Sequence, residues 1–266
     1  MHAKNIANLF LLFSLVVVSF HLKAAPKSQL WPYWNKSNTQ NVQSIDHSAW
    51  QKFLSRYVSI QGENNLVAYA KVTANDKNKL NAYIDALSQL DPRQYNKKEQ
   101  YAYWVNLYNA QTVKIILDNY PIKSITKLGG VFSYGPWDEK HLTITGQELS
   151  LNDIEHRILR PIWKDYRTHY AVNCASLGCP NLQTKAFTAQ NTESLLAKAE
   201  ADFVKSNKGA QVKNGKAVIS SIYDWYASDF GGKEKAWQYL QAKRAELKAI
   251  QSTPSYDYNW DLNQAR

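Results

Sequence analysis

The chain has two cysteines, and both lie in one segment: His169-Tyr-Ala-Val-Asn-Cys174-Ala-Ser-Leu-Gly-Cys179-Pro180. A cysteine acts as a nucleophile or a ligand only as the thiolate, so it needs a base or a positive neighbour. Residues 169–174 are rich in β-forming side chains and read as a strand, and Gly178-Cys179-Pro180 reads as the turn after it. Cys174 would then stand at a strand end, where a reactive side chain can be exposed. Two chemistries compete. Cys174 can be a thiolate nucleophile, or Cys174 and Cys179 can close into a disulfide if their Cα atoms come within about 7 Å. Thiol–disulfide exchange is the third reading and has the least support. Cys-x4-Cys lacks the short spacing and the helix N-terminus that usually lower a thiol pKa.

A base would have to come from six histidines. His169 precedes Cys174 by five residues, so on a straight strand their side chains point to opposite faces unless a bulge intervenes. His156 lies in Asp153-Ile-Glu155-His156-Arg157 and can face Cys174 if its helix packs beside that strand. His141 is the third option, and His47 reads as a surface residue. No histidine follows Cys174, which excludes a papain-like order with the cysteine first. On a helical wheel Glu155 falls among Leu151, Ile154, Ile158 and Leu159, on the buried face. A carboxylate there must be paired, hydrogen-bonded or raised in pKa. It is either a structural ion pair with Arg160 or Arg167, or a partner that orients a histidine or moves a proton. Asn106 and Asn109 are poor helix formers inside a helix and can either hydrogen-bond a neighbouring loop or support an oxyanion. The catalytic candidates are therefore Cys174, His156, His169, Glu155 and Asn109. His156, His169 and the two cysteines match no usual zinc spacing, and there is no glycine-rich phosphate loop, so neither a metal nor a cofactor is expected.

These groups need a frame to position them. The N-terminus has Lys4, an apolar run from Ile6 to Phe20 and small residues at Ala24-Ala25, the layout of a secretory signal peptide. The clean run is shorter than the ~20 residues of a spanning helix. Residues 1–25 are expected to be a leader, with an uncleaved anchor as the rival reading. The mature chain is then periplasmic or secreted, with no stable membrane span. Residues 26–45 read as an irregular lead-in and 46–266 as a single α+β domain, helix-rich with a small, largely antiparallel sheet. The spacing predicts a helix on Trp50, Phe53, Leu54 and Tyr57, and others over about 75–90, 151–163, 191–204 and 234–251. The longest helix is capped by Asn96 and ends at Tyr120-Pro121. Strands are expected over 66–72, 140–145 and 169–174, with a type I′ hairpin at Asn214-Gly215.

The net charge of +10 is dispersed and forms no tight Lys/Arg cluster, so it reads as a solubilising surface. Nucleic acid is not an expected partner outside the cytoplasm. An envelope peptide or polymer is the expected partner class. Nine tryptophans and seventeen tyrosines imply an aromatic core or an aromatic-lined cleft.

Four ordered segments carry a resemblance. Tyr103-Trp-Val-Asn-Leu-Tyr-Asn-Ala110, Leu149-Ser-Leu-Asn-Asp-Ile-Glu-His-Arg-Ile-Leu-Arg160, the cysteine segment and the closing Tyr258-Asn-Trp-Asp-Leu-Asn263 together resemble the domain-of-unknown-function 547 family, over about 97–263. The resemblance implies an exported bacterial member and little about activity. It also implies plant relatives with a cysteine matching Cys174 and serine in place of Cys179, which favours Cys174 as the active sulfur. The expected function is a thiol-dependent hydrolase or transferase acting on an amide or peptide-like substrate. The alternative is a non-enzymatic envelope binding module with a structural Cys174–Cys179 disulfide.

Overall fold

A computed structural model describes residues 26–129 and 135–265. The expected leader, residues 1–25, lies outside them. Helix α1 (Ser48–Tyr57) buries Trp50, Phe53, Leu54 and Tyr57, as their spacing predicts. Strands β1 (Val58–Gln61) and β2 (Asn64–Val67) pair antiparallel. The strand expected over 66–72 stops at Val67, and Tyr69–Lys71 turns as a 3-10 helix instead. Helix α2 (Ala74–Ser88) is capped by Thr73.

Helix α3 (Lys97–Asp118) is the central column. Asn96 caps it, accepting from the amides of Lys98 and Glu99. Glu99 does not return the bond; its carboxylate accepts from the Ile45 amide at 3.1 Å and ties the lead-in to the helix. Every residue from Glu99 to Val113 is buried. The helix is thus enclosed on every side over this stretch, and Asn106 is fully buried.

Strands β3 (Leu142–Ile144) and β4 (Gln147–Leu149) form a hairpin whose second arm the sequence reading lacked. The next helix begins as expected, with Ser150 and Asp153 exchanging side-chain-to-amide bonds. Asp153–Leu159 is wound as a π-helix, and α4 (Arg160–Trp163) completes it.

The expected strand over 169–174 is not formed. Thr168–Ala171 is a helix, α5, and the chain straightens only at Val172. The reason is local: Asp165 accepts from the Arg167 amide through its side chain and from the Thr168 amide through its carbonyl, which starts a helical turn. That outweighs the β preference of Tyr170.

Helix α6 (Thr192–Lys205) precedes the hairpin of β5 (Ala210–Lys213) and β6 (Lys216–Ser220). Asn214 and Gly215 both have positive φ, the expected type I′ turn. Helices α7 (Ile222–Trp225) and α8 (Lys233–Lys243) follow, the latter ending well short of Gln251. Strand β7 (Ser255–Asp257) joins β6 in parallel, the one parallel pair among the described strands. The class is α+β. Apolar side chains gather in two clusters, one around α3 and one joining α6, the β5–β6 hairpin, α7 and α8. Tyr170 belongs to the second, while Ala171 and Val172 belong to the first, so the segment before Cys174 crosses between them. Among the described residues, no helix is long and apolar enough to cross a membrane.

His47 is a further correction. It is buried, and its Nδ1 lies 2.7 Å from the Tyr83 hydroxyl. Burial drives its pKa down to about 4, against the pull of Asp46. Protonation therefore favours the unfolded chain. The neutral imidazole's contribution is complete above pH ~6.5 and lost as the pH falls to about 4, up to roughly 3 kcal/mol. Urea unfolding across this window should show the stability difference between wild type and His47→Gln changing by about that amount, with wild type losing ground as the pH drops.

Candidate functional site

Three asparagines hold the cysteine loop. Asn109 donates from Nδ2 to the Ala171 carbonyl at 2.9 Å and accepts the Asn173 amide on Oδ1 at 2.8 Å. Both ends of its side chain are thus bound to the backbone leading into Cys174. Asn106, one turn earlier, grips Phe187 in the same two-handed way. Asn173 donates to the Pro180 carbonyl at 2.7 Å and accepts from the Ala175 amide at 3.0 Å. Asn263, from the tail, donates to the same Asn173 Oδ1 at 3.2 Å, and its own amide is accepted by the Ala175 carbonyl. Ala175 is held at φ +57°, a left-handed conformation that a residue with a Cβ adopts at a cost of about 1–2 kcal/mol. Cys174 therefore sits at a sharp, over-determined corner.

The tail completes the site. The amides of Leu177 and Gly178 donate to the carbonyls of Asp261 and Asn259, so residues 257–262 run beside the loop. A Cβ on Gly178 would lie 2.7 Å from the Asn259 nitrogen, so only glycine permits this approach. Alternation along the tail turns Tyr258 and Trp260 to one face, where they pack on each other and on Trp225.

The two sulfurs lie 2.9 Å apart, and both are free thiols. Cys174 is half-buried and Cys179 buried. The Tyr258 hydroxyl is 3.0 Å from the Cys174 Sγ, and the Ser176 hydroxyl is 3.3 Å away. Ser176 also lies 3.1 Å from Tyr258, so its single proton serves one neighbour at a time. The Cys174 amide donates to the Cys179 Sγ at 2.9 Å. Burial and the charge of Glu155 oppose ionisation of Cys174, but donors from Cys179, Ser176 and Tyr258 outweigh them and hold its pKa below that of an ordinary thiol. Burial, together with Cys174 beside it, pushes Cys179 well up. Of the two, Cys174 is therefore the more readily ionised sulfur, and Cys179 is the one held as a thiol. Lys208 adds a cation whose field reaches both sulfurs. Its ammonium donates to Asn181 and Asn64, and burial brings it down to about 8.

The histidines are elsewhere. The helical turn of α5 aims His169 at Asp229, with Nε2 2.8 Å from Oδ2. Arg160 grips the same carboxylate with Nε and Nη2. Arg160 also donates to the Nδ1 of His156 at 3.0 Å, which fixes that nitrogen as an acceptor. Glu155 is buried as its wheel position predicts, 3.7 Å from His169 and 3.9 Å from His156. Burial would raise its carboxyl, but the neighbouring imidazoles and Arg160 bring it to about 2. Burial lowers His156 to about 4. The His169 ring stacks on Tyr226 at 4.0 Å. No histidine hydrogen-bonds to Cys174 among the described residues, so the expected pairing of Cys174 with His156 or His169 is not assembled. His141 is also apart, beside Glu139 on a surface cavity of about 370 Å³. No cluster of His, Cys, Asp and Glu suited to a metal occurs among the described residues.

Cys174, Cys179, Glu155, His156, His169 and Asn109 all fall in one stretch of recognisable sequence. Residues 92–204 match the model of the family described as "Protein of unknown function, DUF547". The match supports the resemblance carried by the first three motifs, while Tyr258–Asn263 lies beyond it. No curated protein and no solved structure matches the chain.

The tail is the part of the site that sequence reasoning missed. Its aromatic alternation was the available signal. Gly178→Ala should force the tail away and take Tyr258 with it. The expected result is a loss of about 1–3 kcal/mol in urea unfolding, together with slower alkylation of Cys174 by iodoacetamide at neutral pH.

Proposed function

We propose that the chain is a thiol-dependent hydrolase or transferase whose nucleophile is Cys174, acting on an amide or peptide-like substrate. The observation that carries this reading is the cluster of donors around one half-buried sulfur at a strained corner. A thiolate prepared by hydrogen bonds needs no adjacent imidazole to attack a carbonyl carbon. The S–C bond forms as the C–N bond breaks, and the departing amine takes its proton from Tyr258, whose hydroxyl burial keeps protonated. Water or a second amine then attacks the thioester, returns a proton to Tyr258 and releases Cys174. Asn109 is a positioning residue, since both ends of its amide are committed to backbone. The buried cluster of Glu155, His156, His169, Arg160 and Asp229 braces the π-helix against α5 and the 227–230 turn. A cell-envelope setting is part of the proposal and is supported by the signal-like layout of residues 1–25.

A nitrophenyl ester serves as the acyl probe. Mass spectrometry of the treated protein should place the acyl group on Cys174. Tyr258→Phe should slow acylation at neutral pH by about tenfold, the loss of one charge-assisted hydrogen bond. Acylation that leaves Cys174 free, or is indifferent to Tyr258, contradicts the assignment.

A further inference from the structure

We propose that the same site carries a second activity, thiol–disulfide exchange, in which Cys174 attacks a low-molecular-weight or protein disulfide and Cys179 resolves the product. This rests on the reading of Cys174 as the nucleophile, and it assigns a role to the second sulfur that acyl chemistry leaves idle.

Exposure separates the roles. Cys174 is half-buried and within reach of an incoming disulfide, whereas Cys179 is 4% exposed and can meet only what Cys174 has bound. Distance allows the second step. The sulfurs are 2.9 Å apart, so bonding them shortens the gap by about 0.9 Å. The short spacing and helix N-terminus of familiar redox dithiols are absent, but their electrostatic work is done locally. Hydroxyls from Tyr258 and Ser176 face Cys174, and the Cys174 amide faces the Cys179 Sγ.

The steps balance. The Cys174 thiolate attacks one sulfur of R–S–S–R′, a new S–S bond forms and R′S⁻ departs. Cys179 gives its proton to that thiolate, attacks the Cys174 Sγ and expels RS⁻. The substrate disulfide is reduced to two thiols as the pair is oxidised to Cys174–S–S–Cys179.

The test uses the full chain and dithiobis(nitrobenzoate), an aryl disulfide whose released thiolate is coloured. Wild type should release two aryl thiolates per chain in a fast phase and retain no aryl group by mass spectrometry. Cys179→Ser and Cys179→Ala should each release one and keep the adduct on Cys174, and Cys174→Ser should lose the fast phase. A wild-type protein that reacts fast but keeps its aryl group overturns the exchange proposal and leaves the nucleophile standing. A wild-type protein with no fast phase overturns both.

Discussion

Asn173 is held from three directions: by Asn109 on the central helix, by its own bonds to Ala175 and Pro180, and by Asn263 from the tail. A buried amide leaves its partners unsatisfied if it moves, at a cost of about 1–3 kcal/mol for each group. This chain of amides is what keeps Ala175 in a left-handed conformation and sets Cys174 at the corner. It also brings together parts of the chain far apart in sequence, since Tyr69 donates to Asn263 from the opposite side. The thiol site is a product of the tertiary fold, anchored on a helix buried all round.

Two electrostatic centres lie near each other without sharing a hydrogen bond. One is Cys174 with the hydroxyls of Tyr258 and Ser176 and the Cys179 sulfur beside it. The other is the buried cluster of two carboxylates, two imidazoles and Arg160. Tyr108 and Tyr226 lie within range of both: burial above all keeps their hydroxyls neutral, and Glu155 and Cys174 each add to that effect. Glu155 opposes the thiolate. The donors at Cys174 must therefore overcome burial and a negative neighbour together, and they come from Ser176, Cys179 and the tail.

Local rules made much of the frame legible. Asn96 as a cap, the Asn214-Gly215 turn and the α1 stripe depend on residues close in sequence, and each appears as read. Glu155 on the buried face follows from helical period alone, which a π-helical stretch of seven residues did not upset. The failures came from tertiary context and from one local competitor. His169 was placed by β propensity, but Asp165 started a helical turn and Asp229, sixty residues on, claimed the ring. Tyr258 is 84 residues from Cys174, and no periodicity links them. Asn109 was open to two roles in the sequence, and gripping a loop is the one its hydrogen bonds fit.

The central claim is that Cys174 ionises more readily than an ordinary thiol and Cys179 less readily. Ultraviolet thiolate absorbance, titrated across pH in the reduced protein, measures this directly. One thiol should ionise below the ordinary ~8.5 and disappear in Cys174→Ser, while the second ionises well above it. Two thiols ionising together at or above the ordinary value would contradict the account.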